Sequence, residues 1–282
     1  MVTLDSLLLG IIYLIVGYLL FWLGKGVYSL THPSVNVNEE LLQRNNAALG
    51  VALVGYYFGL ILAIGGSIVG PSRGLVEDLL DLVLYGVFGI LALNISALVR
   101  DKLILYRFRV TDEIIRDQNV GTGVVEAAIS IASGMVIYGA VAGEGGTLLT
   151  AIAFWILGQA ALVIVGLVYQ LITPYDIHAL IERDNVAVGV GFAGALVAVG
   201  NVVRGASEAD FISWSSNLSF FALEFLITIL LLPVIRFVTD KMLLPGSSLT
   251  EEIAKENPPN LGAAYVEAFS YIGASFLIVW AM

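Results

Sequence analysis

Three glutamates stand where an apolar sequence leaves little room for charge. Glu126 lies in the otherwise uncharged stretch Val120–Gly143, Glu267 in Leu261–Met282 and Glu224 in Phe211–Ile235. Glu126 and Glu267 each follow an asparagine by seven residues, about 10 Å along a helix. The two settings match: Asn119-x-Gly121-x-x-x-Val125-Glu126-Ala127 and Asn260-x-Gly262-x-x-x-Val266-Glu267-Ala268. That depth is inside or at the edge of bilayer hydrocarbon, where ionisable groups are costly, face the bundle interior and mark ion or proton paths. Two chemistries fit. The carboxyls bind or relay a cation or proton, or they are structural, pairing with Lys102, Lys241 or a loop arginine, or bonding across helices. Glu224 is deeper, about 18–20 Å from either end of its stretch, and its first-half counterpart is Tyr85.

The elements that hold these residues must be membrane helices. The chain is 59% hydrophobic and 13% charged, with mean hydropathy +0.92, too apolar for a soluble domain of this length. Ser6–Gly24, Asn45–Ser72, Leu82–Val99, Gly145–Tyr175 and Asn185–Val203 carry no charge, and about 20 such residues cross a bilayer. With the three glutamate-bearing stretches they make eight spans. The runs do not alternate apolar and polar residues, so they read as helices and not as barrel strands. The N-terminus lacks a basic leader and an Ala-x-Ala-like exit, so no cleavable signal peptide is expected.

Basic residues set the expected orientation. Eleven lie between spans 1–2, 3–4, 5–6 and 7–8, counting adjoining helix ends, against Arg73 and Arg204 on the other side. The positive-inside rule puts those four loops in the cytoplasm and both termini outside.

The four loops repeat. Asn46-x-Ala48-x-Gly50-Val51 matches Asn185-x-Ala187-x-Gly189-Val190, and Gly55 matches Gly194. Val27-Tyr28-x-Leu30-x-x-Pro33 matches Val168-Tyr169-x-Leu171-x-x-Pro174, and Asp101-Lys102 matches Asp240-Lys241. Units 1 and 3 are alike, as are units 2 and 4, so the chain divides into halves 1–143 and 144–282. The fold class that follows is an all-α integral membrane protein. Its eight transmembrane helices form four parallel two-helix repeats with short cytoplasmic amphipathic helices. The second helices either surround a pseudo-four-fold axis or close into a bundle without a pathway.

Asn46, Asn119, Asn185 and Asn260 each open a second helix. They read as caps for its orphan N–H groups, or as the polar lining of a cytoplasmic mouth. Thr111-Asp112-Glu113 and Thr250-Glu251-Glu252 read as capped starts of loop helices. Pro33, Pro174 and Pro245 separate incoming spans from these helices. Gly55-x-x-x-Gly59-x-x-x-Ala63 and Ala187-x-x-x-Gly191-x-x-x-Ala195 are packing seams. Glu77, Asp78 and Asp81 make the outer side acidic, either a cation-concentrating surface or a solvated rim. In the units without the glutamate its place is taken by Leu53 and Phe192, so a glutamate ring would have two members.

Thr173-Pro174-Tyr175-Asp176 followed by Ile181-Glu182-Arg183-Asp184-Asn185-Val186-Ala187 resembles the repeat of the bacterial membrane family called domain of unknown function 350. The resemblance implies a prokaryotic inner-membrane protein and brings no activity with it. Unit 2 lacks the Thr-Pro, and unit 4 inserts Pro258-Pro259 before its Asn.

Other chemistry is excluded or unsupported. Without cysteine there are no disulfides or thiolate sites. His32 and His178 occupy unmatched positions, so no paired metal site is expected. Phosphate-cradling glycine loops and catalytic triads are missing, so neither an enzyme nor a cofactor is expected. A net charge of −10 argues against nucleic acid. The expected partners are the lipid bilayer and either a second copy or a cytoplasmic protein. Two functions fit: a cation or proton pathway, or a scaffold docking a partner on Glu39–Arg44, Asp112–Asp117, Asp176–Asp184 and Glu251–Glu256.

Overall fold

The computed structural model of the chain describes residues 4–69, 72–243 and 246–282; Pro245 lies outside them. Among the described residues, eight helices are long and apolar enough to cross a membrane. They are α1 (Leu4–Thr31), α3 (Ala47–Gly65), α4 (Leu75–Val99), α6 (Val120–Ala142), α7 (Leu148–Ile172), α9 (Val186–Glu208), α10 (Trp214–Val238) and α11 (Leu261–Ala281). One-turn helices α2 (Val37–Leu42), α5 (Val110–Ile115) and α8 (Ile177–Glu182), and a wider turn at Glu251–Lys255, fill the four repeat loops.

The spans form two layers. In one, the second helices of the units stand in a row, α3 on α6, α6 on α9 and α9 on α11. The first helices α1, α4, α7 and α10 form the other row. α9, inside its row, is the most covered helix, and α1, at an end, is the least. Among the described residues α3 and α11 are not packed together. Of the two arrangements the repeats allowed, a ring about a central axis is not formed among the described residues: the second helices pack without a central pathway, as an open row.

Small residues make the row tight. A Cβ on Gly55 would lie 2.2 Å from Ala127 Cα, and one on Gly59 the same distance from the Ser130 carbonyl oxygen. The halves meet across α6 and α9, with Gly189 against Gly121, Gly200 against Ala132 and Gly139 against Arg204. Both ends of this interface put backbone against backbone, which only glycine permits.

Each second helix begins the same way. Asn46, Asn119, Asn185 and Asn260 accept from the N–H of Leu49, Thr122, Val188 and Ala263 at 2.7–3.1 Å. In the first three units the preceding residue takes a left-handed turn, with φ of 50° at Asn45, 51° at Gln118 and 57° at Asp184. Pro259 holds that place in unit 4, and its ring forbids a positive φ. The loop is longer there: Asn260 N–H reaches back to the Glu252 carbonyl, where Asn46 and Asn119 reach Glu40 and Glu113.

Two expected caps are corrected. α5 starts at Val110 with Arg109 before it, so Thr111 lies inside the helix. Thr250 makes no capping bond, and Ser248 Oγ accepts from Glu251 N–H instead. The spans also run past their uncharged cores. α1 continues through Lys25 to Thr31, and α4 begins at Leu75, taking in Glu77, Asp78 and Asp81. Those acids are partly tied down: Asp78 accepts from Tyr13 OH at 2.7 Å, and Asp81 pairs with Arg73.

Candidate functional site

Glu126 and Glu267 are buried at matching positions on α6 and α11, with α9 standing between those helices in the row. Each is held by an arginine. Arg100 Nη1 donates to Glu126 Oε1 at 2.6 Å, while its Nε donates to Asp101 at 2.7 Å. Arg236 Nη1 donates to Glu267 Oε1, which also accepts from Tyr169 OH at 3.1 Å. The Arg236 guanidinium lies 5.9 Å from the Tyr169 ring centroid and 5.8 Å from that of Tyr175, within cation–π range.

The arginines reach equivalent glutamates from inequivalent positions. Asp101 matches Asp240, so Arg100 aligns with Thr239 and Arg236 with Ala97. They stand three residues apart on the repeat, about one helical turn. A wide turn follows both α4 and α10, at Arg100–Ile104 and Thr239–Leu243. Gly191 makes room for the second pair, because a Cβ there would sit 2.6 Å from Glu267 Oε2.

Little space surrounds the carboxyls. Tyr28, His32, Arg100 and Glu126 line a cavity of about 10 Å³, the volume of one water site. A larger cavity, about 210 Å³, opens on the opposite side around Tyr13, Asp78, Tyr85 and Thr147, and none of the three glutamates lines it. Glu267 Oε2 and Tyr271 OH are buried without a hydrogen-bond partner among the described residues.

Glu224 is also buried, and its Oε2 has no partner among the described residues. It sits fourteen residues before the end of α10, about 21 Å from the loop side at 1.5 Å per residue. Asn201 and Ser275, joined at 3.1 Å across α9 and α11, lie at about the same depth. Arg204 continues toward the far end, donating to Asn201 and Glu208.

The four asparagines do more than cap. Asn46 Nδ2 donates to Glu40 and to the Ile114 carbonyl of the next unit, both at 2.9 Å. Asn119 repeats this with Glu113 at 2.9 Å and the Ile181 carbonyl at 2.7 Å. Asn185 donates to the Ile253 carbonyl at 3.0 Å. Asn260 reaches only Glu252, at 2.7 Å, and is exposed where the other three are buried. The loop helices are thus stitched into one layer. Burial pushes the Glu113 carboxyl up from its ordinary range. His178 belongs to this layer, its Nε2 2.7 Å from the Ile104 carbonyl oxygen, and His32 stacks on Tyr28.

The sequence pointed to the glutamates and the asparagines and offered Lys102, Lys241 or a loop arginine as the glutamates' partners; the pairs are made by Arg100 and Arg236 at the span ends rather than by the lysines, and Tyr169 and Tyr175 were not singled out. The Tyr28–Tyr169 match was a usable signal, since both tyrosines lie on the first helix of the unit preceding a glutamate-bearing one.

Eight apolar spans in tandem parallel units, with apolar outer faces, define a multi-pass membrane protein. The family model described as Domain of Unknown Function (DUF350) matches twice, over residues 1–141 and 145–282, and the chain belongs to that family. It is similar to the UPF0719 transmembrane protein of Aquifex aeolicus (strain VF5), with 23% identity over 93% of this chain and 97% of that one. No solved structure matches.

Proposed function

We propose that this protein is a non-transporting membrane scaffold that presents its four loop helices to a cytoplasmic protein partner. The observation that carries this reading is the pairing of Glu126 with Arg100 and Glu267 with Arg236 inside a glycine-packed row. Each carboxylate is neutralised by a neighbouring helix. Neither is left free to exchange a cation, and the space beside Glu126 is at most one water site. The same row fixes the loop helices in a single layer through the asparagine bonds. That layer has eleven acidic and four basic side chains over Glu39–Arg44, Asp112–Asp117, Asp176–Asp184 and Glu251–Glu256. Its complement is a basic protein surface.

The basic-loop bias supports an inner-membrane location with this layer in the cytoplasm and both termini outside. Photocrosslinkers at Asp112, Glu182 and Glu256 in intact cells test the docking. The expected result is one recurrent adduct that is lost when these acids are changed to lysine. Absence of any adduct from all three positions removes the proposal.

A second reading, a cation or proton pathway, draws on one observation. Among the described residues Glu224 keeps a buried oxygen without a partner, at the depth of Asn201 and Ser275. In that reading Glu224 and Glu267 would relay the charge within the second half.

A further inference from the structure

Independently of what docks on the loops, we infer that this chain associates head to tail with a second copy, the outer face of α11 receiving the outer face of α3. The argument starts from the contact between the halves. There α6 of unit 2 packs on α9 of unit 3, in three layers: Gly121 on Gly189, Ala132 on Gly200 and Gly139 on Arg204. Unit 4 repeats unit 2, and unit 1 repeats unit 3. The same contact can therefore be made again, between α11 of one chain and α3 of the next.

Both faces are open. A Cβ on Gly262 would meet only the chain's own Asn260, and one on Gly273 only its own Phe269 ring. Gly121, the counterpart of Gly262, faces the Asn185 backbone of the next unit, and Ala132, the counterpart of Gly273, lies against Gly200 there. The repeated layers also match in shape. Gly262 would stand against Gly50, Gly273 against Ile61 and Trp280 against Gly65. Where the internal contact puts small on small at Ala132 and Gly200, the open faces set a glycine opposite Ile61. Where it puts Gly139 opposite Arg204, they reverse the order, with Trp280 opposite Gly65. Ile61 and Trp280 are both exposed in the single chain, at 56% and 75%.

Apolar exposure alone is ordinary on a lipid-facing helix. The asparagines supply the independent observation. Asn46, Asn119 and Asn185 each donate to the carbonyl of an isoleucine in the following unit, whereas among the described residues Asn260 donates to Glu252 of its own loop and to no isoleucine carbonyl. Backbone bonds place Leu41 at the position of Ile114, Ile181 and Ile253, one residue past the carbonyl that each asparagine N–H reaches. Those three isoleucines are fully buried, while Leu41 is only half-buried. Gly121 N–H further donates to Asp184 Oδ1 of the next unit at 3.0 Å. The equivalent pair is Gly262 N–H with the Asn45 side chain of a second copy. One end thus offers donors, and the other holds the matching acceptors. Such a heterologous contact builds a ring or an open array according to the rotation between copies.

The absence of cysteine makes the test clean. Differently tagged chains carrying Ile61→Cys or Gly273→Cys are co-expressed and oxidised in native membranes. The expected result is a mixed-tag dimer at least tenfold above either chain expressed alone. Gly50→Cys with Gly262→Cys is a second pair that should behave alike, and Leu19→Cys with Leu226→Cys is the lipid-facing control. The inference is overturned by crosslinks that form equally within each single population, by mixed crosslinks no stronger than the control, or by both test pairs remaining uncrosslinked.

Discussion

Removing Arg236 should injure this protein more than removing Arg236 and Glu267 together. Glu267 is fully buried and Arg236 nearly so. In Arg236→Met, among the described residues, the carboxylate keeps only the Tyr169 hydroxyl on Oε1, and Oε2 already lacks a partner. Breaking a buried pair from one side costs about 3–5 kcal/mol. Glu267→Gln should cost less, about 2 kcal/mol for a charge-assisted hydrogen bond, because Tyr175 and two aromatic faces still attend the guanidinium. Replacing a buried pair by uncharged groups is often nearly neutral, so the double variant should fall within about 1 kcal/mol of wild type. The cycle then gives a coupling of several kcal/mol. Unfolding in mixed micelles, followed by tryptophan fluorescence, measures all four proteins. Additive single effects, or an Arg236→Met protein as stable as wild type, would refute the claim that the pair is structural. The first half is an internal control: Arg100 also bonds Asp101, so Glu126→Gln should cost less than Glu267→Gln.

Asn119→Ala should lose about 1 kcal/mol for the cap plus about 1–3 kcal/mol for the orphaned Ile181 carbonyl, whereas Asn260→Ala should lose only the cap in a monomeric preparation; the same unfolding assay separates them. Gly55→Val, forced against the Ala127 backbone, should cost about 1–3 kcal/mol or more and should lower the yield of folded protein on size-exclusion chromatography. Glu113 offers a pH test. Its carboxyl is raised by burial, so the folded form holds a proton that the unfolded chain releases first. Stability should therefore fall as pH rises from the ordinary carboxyl range through the raised value. Glu113→Gln should flatten that slope in unfolding curves taken between pH 4 and pH 8, and an unchanged slope would contradict the assignment.

The sequence carried the parts of this fold that are local. Span length, the asparagine caps and the halves follow from runs of apolar residues and from matches such as Asn119–Glu126 with Asn260–Glu267. Tertiary choices were hidden. The arginine partners come from positions that do not align between repeats, so the repeat that exposed the glutamates concealed what neutralises them. Gly55 and Gly191 read alike as seam residues, yet one faces the Ala127 backbone and the other makes room for Glu267. The open row was not legible either, because parallel units fit a row and a ring equally well until the packed pairs are known. Thr111 failed as a cap because Arg109 takes the cap position and Val110 opens the helix, a shift of two residues.

The central claim is that the membrane glutamates build this protein and carry nothing through it. Purified chain in sealed vesicles, with an interior pH dye and an imposed potassium diffusion potential, tests that most directly. The account predicts proton and cation entry no faster than in empty vesicles. Flux above that baseline, abolished by Glu224→Gln or Glu267→Gln, would contradict it.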